Sequence, residues 1–211
     1  MRIACIGYGH VGGPIADHLQ RLGHEVTLAA HDQSSPRLAA LLARNGALTV
    51  RPPADAVGAA EVVVLATPFA ANEAAVTPIA PQLAGKILID CTNPVGAGLT
   101  HGLGSRQSAT DVLQRLLPRT HVVKAFSIYG FENFEDASYP AYNLKPAMLM
   151  CGNDTAAKGV VSGLLAQLGW EPLDVGGAEQ ALHLEHLALL WIRMVRVGGH
   201  SPHLVWAALH R

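Results

Sequence analysis

The residues best suited to chemistry in this chain stand at the ends of short apolar runs. The first set is Gly7-Tyr8-Gly9-His10-Val11-Gly12, directly behind the run Arg2 to Ile6. A helical pattern follows, with Val11, Ile15, Leu19 and Leu22 spaced by three and four residues. A Gly-x-Gly-x-x-Gly turn between a strand and a helix lets backbone cradle a pyrophosphate. Gly7 allows the tight turn, Gly9 lets the chain approach the phosphates, and Gly12 lets helix pack on strand. The helix N-terminus adds free N–H groups and partial positive charge. The turn predicts a bound dinucleotide.

Further candidates follow later apolar runs. Thr67-Pro68 ends Glu61 to Thr67, Asn93-Pro94 ends Lys86 to Thr92, and Phe126-Ser127 ends His121 to Phe126. In an open α/β sheet, ligands bind beyond the carboxyl ends of the strands, so these residues and the glycine turn predict one site. The two prolines fix backbone direction where a ribose or nicotinamide would lie.

The end of the second run decides between NAD and NADP. An acid there holds the ribose hydroxyls of NAD, whereas donors in its place take the 2′-phosphate of NADP. Ala30 occupies the acid's place, and His31, Ser34, Ser35 and Arg37 could surround a phosphate, which favours NADP. Asp32, twenty residues beyond Gly12, keeps NAD open.

Other reactive residues carry less. Lys124 is a candidate general acid, but the preferred reading is a strand-end lysine with a packed stem and a solvated head. Tyr129, Phe131 and Phe134 either wall an aromatic cofactor or anchor their loop on the sheet. His183 and His186 have the spacing of two ligands on one helix but no third, so they read as solvated or interface histidines and no metal is assigned. Ser34, Ser35 and Ser105 lack a nucleophile-elbow context, which excludes hydrolase chemistry of that kind.

The elements that must position these residues alternate. Strands are expected at Arg2 to Ile6, His24 to Ala30, Ala47 to Val50, Glu61 to Thr67, Lys86 to Thr92, His121 to Phe126, Pro146 to Cys151 and Glu171 to Val175. Helices are expected at Val11 to Leu22, Arg37 to Arg44, Ala54 to Ala60, Ala70 to Val76, Ser108 to Leu117, Asp154 to Leu168 and Ala178 to Val197. Val95 to Ser108 reads as a surface loop, and the stretch from Phe126 to Lys145 as a long irregular one. This predicts an α/β fold, a doubly wound and mostly parallel sheet of the Rossmann type with a helical C-terminal tail. Residues 1–176 form the dinucleotide-binding part and residues 177–211 a helical segment of the same compact unit. Leu182, Leu187, Leu189, Leu190, Trp191, Ile192 and Met194 cover more than one face of that helix, so a homodimer through it is expected.

Composition excludes several classes. The 15 basic and 16 acidic residues give a net charge of −1, without basic patches, which argues against nucleic acid and anionic membrane surfaces. The longest apolar stretch near the C-terminus, Leu187 to Ile192, is too short to span a bilayer. The first strand begins at residue 2, which leaves no room for a signal peptide, and a cytoplasmic location is expected. Cys5, Cys91 and Cys151 sit in apolar runs and read as buried free thiols.

Taken in order, Gly7-Tyr-Gly-His-Val-Gly12, Ala66-Thr-Pro-Phe69, Asp90-Cys-Thr-Asn-Pro94, Val123-Lys-Ala-Phe126, Cys151-Gly-Asn-Asp154 and Leu184-Glu-His-Leu-Ala-Leu-Leu-Trp-Ile192 resemble the landmarks of a known family. They look like the coenzyme F420-dependent NADP oxidoreductases, to which the oxidoreductase domains of the STEAP metalloreductases are similar. The resemblance implies hydride transfer between NADPH and a deazaflavin (F420) or flavin ring held in a cleft between sheet and C-terminal part. The protein then aligns two cofactors and needs no acid–base residue. Three positions depart from the pattern. Ala30-His31 replace a frequent Ser-Arg pair, and Ser127 replaces a frequent Asn, offering a shorter donor to a carboxamide. The alternatives are a reductase of a small carbonyl or imine, and a dinucleotide-binding module without turnover.

Overall fold

The computed structural model describes all 211 residues. Strand β1 (Arg2–Ile6) shows the logic of the whole. Ile3 and Cys5 point into one apolar layer and Ala4 and Ile6 into another, because helices cover both faces of the sheet. The chain continues through α1 (Gly12–Arg21), β2 (Glu25–Ala29), α2 (Pro36–Arg44), β3 (Thr49–Arg51), α3 (Pro53–Ala59) and β4 (Val62–Leu65). Next come α4 (Asn72–Val76), α5 (Ala80–Leu83), β5 (Ile87–Asp90), and a small antiparallel hairpin of β6 (Val95–Gly96) and β7 (Thr100–His101). The rest is α6 (Ala109–Leu116), β8 (His121–Lys124), α7 (Glu132–Glu135), β9 (Ala147–Gly152), α8 (Thr155–Gln167), β10 (Glu171–Asp174) and α9 (Ala181–Arg196).

The main sheet has eight strands in the order β10-β9-β8-β5-β4-β1-β2-β3. The six from β3 to β8 run parallel. Strand β9 pairs antiparallel with β8, Lys124 opposite Cys151, and β10 pairs parallel with β9. Both therefore oppose the other six. The cause lies in the connection: between β8 and β9 there are only the four-residue α7 and a single 3-10 turn at Pro140–Tyr142, and no crossover carries the chain back across the sheet. The loop instead stays at the carboxyl edge of β8, beside the other strand ends.

One expectation needs adjustment. Val95 to Ser108 is not wholly a surface loop, since it contains the hairpin and buries His101 and Ser108. Ser108 caps α6 in a capping box, its hydroxyl accepting from the Asp111 N–H while the Asp111 carboxylate accepts from the Ser108 N–H. Helix α9 buries Leu184, Ala188, Trp191 and Val195, one face at helical spacing, and leaves Leu190 51% exposed. After α9 the chain folds back. The Trp191 indole N–H donates to the Leu204 carbonyl (2.7 Å), and the Ala147 N–H to the Trp206 carbonyl (2.8 Å). No helix is long and apolar enough to cross a membrane.

Candidate functional site

The three turn glycines serve different ends. Gly7 has φ +90°, and a Cβ there would lie 2.6 Å from the Ala66 carbonyl oxygen. A Cβ on Gly12 would lie 1.9 Å from the Gly7 oxygen, so the protein's own backbone fills that space. At Gly9 the nearest atom to an added Cβ is Arg37 Nη1 at 3.5 Å. The face of Gly9 is thus open. Helix α1 begins with no side-chain cap and no acid in its first turn, so its N-terminal field is left for an anion. His10 is exposed and lies between two neighbours: its ring meets Phe131 with centroids 4.6 Å apart, and its Nε2 accepts from Arg37 at 3.4 Å. Tyr8 and Val11 pack against the core.

Beyond β2 the side chains diverge. Ala30 is buried, whereas His31, Asp32, Ser34 and Arg37 are exposed and Ser35 is half-buried. Asp32 Oδ1 accepts from the Ser34 N–H (2.8 Å) and hydroxyl (2.6 Å), which holds its carboxyl below the usual carboxylate range. Ser34 therefore spends its donor on Asp32, and Arg37 is the cation brought to the glycine turn.

The ends of β4, β5 and β8 are laced together. Thr67 Oγ1 donates to Asn72 (2.8 Å), Asn72 Nδ2 to Thr92 Oγ1 (2.9 Å), and Thr92 Oγ1 to Asp90 (2.7 Å). Pro68 is exposed and Pro94 buried. Asn93 Nδ2 donates to the Ser127 carbonyl (2.6 Å), yet Asn93 Oδ1 and Ser127 Oγ are buried without any partner. Buried polar atoms rarely stay unpaired, and those that do often mark a place for a ligand. Phe126, between these groups and β8, is buried at φ +56°, a left-handed conformation that stores strain in a bulky residue.

Lys124 corrects the sequence reading. Its head is not solvated: the side chain is 0% exposed, and Nζ meets Asp90 Oδ2 (3.2 Å), Glu185 Oε1 (3.0 Å) and the Thr92 carbonyl (2.8 Å). Burial pulls its pKa down, but the two carboxylates outweigh burial and hold the ammonium above its ordinary value. All three N–H donors are spent, which leaves no proton to offer a substrate. Asp90 also accepts from the Thr92 N–H (2.9 Å) and the Thr110 hydroxyl (2.7 Å). Glu185 accepts from the Ala109 N–H (2.9 Å) and lies 2.8 Å from His101 Nε2. No role for Asp90, His101, Thr110 or Glu185 is legible in the sequence beyond two acids set in otherwise apolar runs.

The remaining candidates separate. Tyr129 stacks on Trp170 (5.5 Å) and donates to the Ala147 carbonyl (2.6 Å), and Phe134 is buried, so both anchor the loop. Phe131 stays 40% exposed. His183 is exposed and His186 faces Ser105 Oγ at 3.0 Å. No three His, Cys, Asp or Glu side chains converge as metal ligands would. The three cysteines are free and buried, and burial pushes the Cys5 and Cys151 thiols up to about 12. A cavity of about 860 Å³ lies between α1, α8 and the 134–145 loop, away from the glycine turn.

Comparison with known proteins places this geometry. Residues 2–94 match the family model described as NADP oxidoreductase, coenzyme F420-dependent. A solved structure from Arthrobacter sp. FB24, provisionally described as an F420-dependent NADP reductase, is 31% identical with a TM-score of 0.84, covering 96% of both chains. The F420-dependent NADP reductase of Methanocaldococcus jannaschii is 28% identical over 148 residues, 65% of this chain and 63% of that protein. Metalloreductase STEAP3 of Rattus norvegicus is 29% identical over 188 residues, 89% of this chain but 36% of that protein. The chain thus spans about a third of STEAP3 and less than two thirds of the archaeal reductase. With its fold, its glycine turn and a relative matched end to end, the chain belongs to the coenzyme F420-dependent NADP oxidoreductase family.

Proposed function

We propose that the chain binds NADP(H) across its strand ends and passes hydride between it and a deazaflavin or flavin ring. The carrying observation is the pair of unpaired buried oxygens, Asn93 Oδ1 and Ser127 Oγ, beyond β5 and β8 at the same sheet edge as the Gly9 turn beyond β1. A nicotinamide carboxamide has an N–H₂ donor and a carbonyl acceptor. Asn93 Oδ1 can accept from the first and the Ser127 hydroxyl can donate to the second. The open Gly9 and the uncapped α1 N-terminus suit the pyrophosphate, and Arg37 suits a 2′-phosphate. When bound, the nicotinamide and the second ring supply the redox chemistry.

The chain's own residues orient and shield. Phe126, held in its left-handed conformation, sets the direction of Ser127. Phe131 meets the His10 ring of the glycine turn at a tilt of 31° and has the exposed ring area to meet a flat second partner. No acid–base residue is needed for hydride transfer between two such rings. The deazaflavin reading is supported by relatives described as F420-dependent; flavin rests on the shared planar chemistry. Asp32, exposed just beyond β2 with its carboxylate held by Ser34, favours a second reading in which NAD is also accepted. Residues 1–176 would carry the dinucleotide, and residues 177–211 would close the unit and supply a dimer face.

The test pairs binding with turnover. Fluorescence titrations with NADPH and NADH, on the wild type and Arg37→Ala, should show NADPH preferred by the wild type and the preference lost in the variant. Absorbance assays with deazaflavin, FMN and FAD then identify the acceptor. NADH binding tighter than NADPH would overturn the NADP assignment. Turnover with carbonyl or imine substrates alone would overturn the second-ring assignment.

A further inference from the structure

We propose that Asp90, Lys124 and Glu185 form a positioning device through which α9 sets the nicotinamide end of the cofactor site. The inference rests on the reading above, that a dinucleotide lies at these strand ends.

The cluster is a poor device for stability. Two carboxylates and one ammonium are 0–1% exposed, and removing three charges from water costs as much as their attraction returns. What so many saturated contacts do provide is geometry. Lys124 Nζ holds the carboxylates of β5 and α9 and, in the same fork, the Thr92 carbonyl. That carbonyl belongs to the peptide leading into Asn93. With the peptide fixed from below, Asn93 Nδ2 reaches the Ser127 carbonyl, and Asn93 Oδ1 and Ser127 Oγ are left buried and unpaired. Two orphaned oxygens would otherwise relax toward water or each other.

Glu185 is the remote member. It stands on α9, touches Lys124, the Ala109 N–H and His101, and makes no hydrogen bond to Asn93 or Ser127. His101 in turn fixes Glu185: its Nδ1 accepts from the Leu103 N–H (3.3 Å) and the Ser105 N–H (3.2 Å), so the ring proton sits on Nε2 and points at the carboxylate. Any shift of α9 against the hairpin therefore reaches Asn93 through Lys124. Glu185 is a positioning residue, and it contacts no cofactor atom.

The experiment compares NADP⁺ with 2′-phospho-ADP-ribose, the same ligand without nicotinamide, by calorimetry. In the wild type NADP⁺ should bind more tightly than the fragment. Glu185→Gln keeps the volume and balances the remaining charges, but turns an amide N–H₂ toward an N–H. Its NADP⁺ affinity should fall roughly tenfold, the size of one or two lost hydrogen bonds, while fragment affinity stays within about twofold. Glu185→Asp, which keeps the charge and withdraws it by one methylene, should show the same selective loss if Glu185→Gln does not fold. Once Asn93→Ala is present, Glu185→Gln should cost nothing further in the NADP⁺-to-fragment ratio. Equal weakening of both ligands, additivity with Asn93→Ala, or no change would overturn the proposal. A wild type that binds neither ligand would instead overturn the dinucleotide reading itself.

Discussion

Gly9 and Gly12 stand three residues apart in one turn, yet alanine at each should fail in opposite ways. At Gly12 the new Cβ would sit 1.9 Å from the Gly7 carbonyl oxygen and 3.0 Å from the Ala66 Cβ. Both are rigid, so α1 must move by more than an ångström against β1 and β4. Overpacking of that kind costs about 3 kcal/mol, and for a chain of this size that lowers Tm by roughly 6–12 °C. At Gly9 the φ angle is not left-handed and the nearest atom is the flexible end of Arg37 at 3.5 Å. Gly9→Ala should keep stability within about 1 kcal/mol of wild type, since a compatible alanine also restricts the unfolded chain. Its methyl takes the room a pyrophosphate needs, and NADP⁺ affinity should drop at least tenfold, about 1.4 kcal/mol. Calorimetric melting with NADP⁺ titration reads both quantities on the same samples. Gly9→Ala binding like wild type, or Gly12→Ala melting like wild type, would refute the division of labour.

Asp17, whose side chain is 0% exposed, accepts from Asn45 (2.7 Å) and Arg21 (2.9 Å) and lies 2.7 Å from Arg44 Nε. Burial alone would raise its pKa, but these partners outweigh it and lower the value. A depressed folded pKa means stability that is present above the unfolded value of about 3.9 and is lost as pH falls through the folded one. Asp17→Asn should cost about 1–3 kcal/mol at pH 7, and the gap should narrow toward pH 3 in urea titrations; a constant gap refutes the linkage. Nitrogen NMR should find the His101 ring proton on Nε2, and a proton on Nδ1 would contradict the two backbone donors aimed there. Leu190 and Val197 are 51% and 73% exposed on and just after α9. Sedimentation should find a dimer that Leu190→Glu converts to monomer, whereas a monomeric wild type removes that role from the helix.

The strand-turn-helix at the N-terminus was legible because each signal there is local. An apolar run, three glycines at fixed spacing and a helical period lie within some twenty residues, and tertiary context had only to agree. The reversal of β9 was not legible. The run Ala147 to Cys151 reads the same whichever way the strand points, and direction is set by the connection. The one usable hint was negative: no helical period separates β8 from β9, so nothing carries the chain back for a parallel pairing. The hairpin at Val95 to His101 was hidden for a related reason. Its strands have two residues each and no side-chain alternation to detect.

The site divides along the same line. The residues at the strand ends could be listed from sequence, since a parallel sheet dictates where its ligands lie, but what each does there could not. A lone lysine closing a strand ordinarily sends its head to water, and that rule misplaced Lys124. Its partners stand 34 and 61 positions away, at Asp90 and Glu185, and only the sheet order and the docking of α9 bring them together. Physical bookkeeping could still have flagged them. Asp90 closes Ile87-Leu-Ile, and Glu185 falls on the same helical face as Leu184, Ala188 and Trp191. An acid on a buried element needs a cation, and two such acids with one lysine on a third buried element form the cheapest closure available. The same reasoning bears on Ser127. With Asn93 already donating to its carbonyl and its own hydroxyl unpaired, Ser127 presents one group where a longer Asn would present two. On the proposed reading, a nicotinamide would meet fewer donor and acceptor atoms here than an Asn at position 127 would offer.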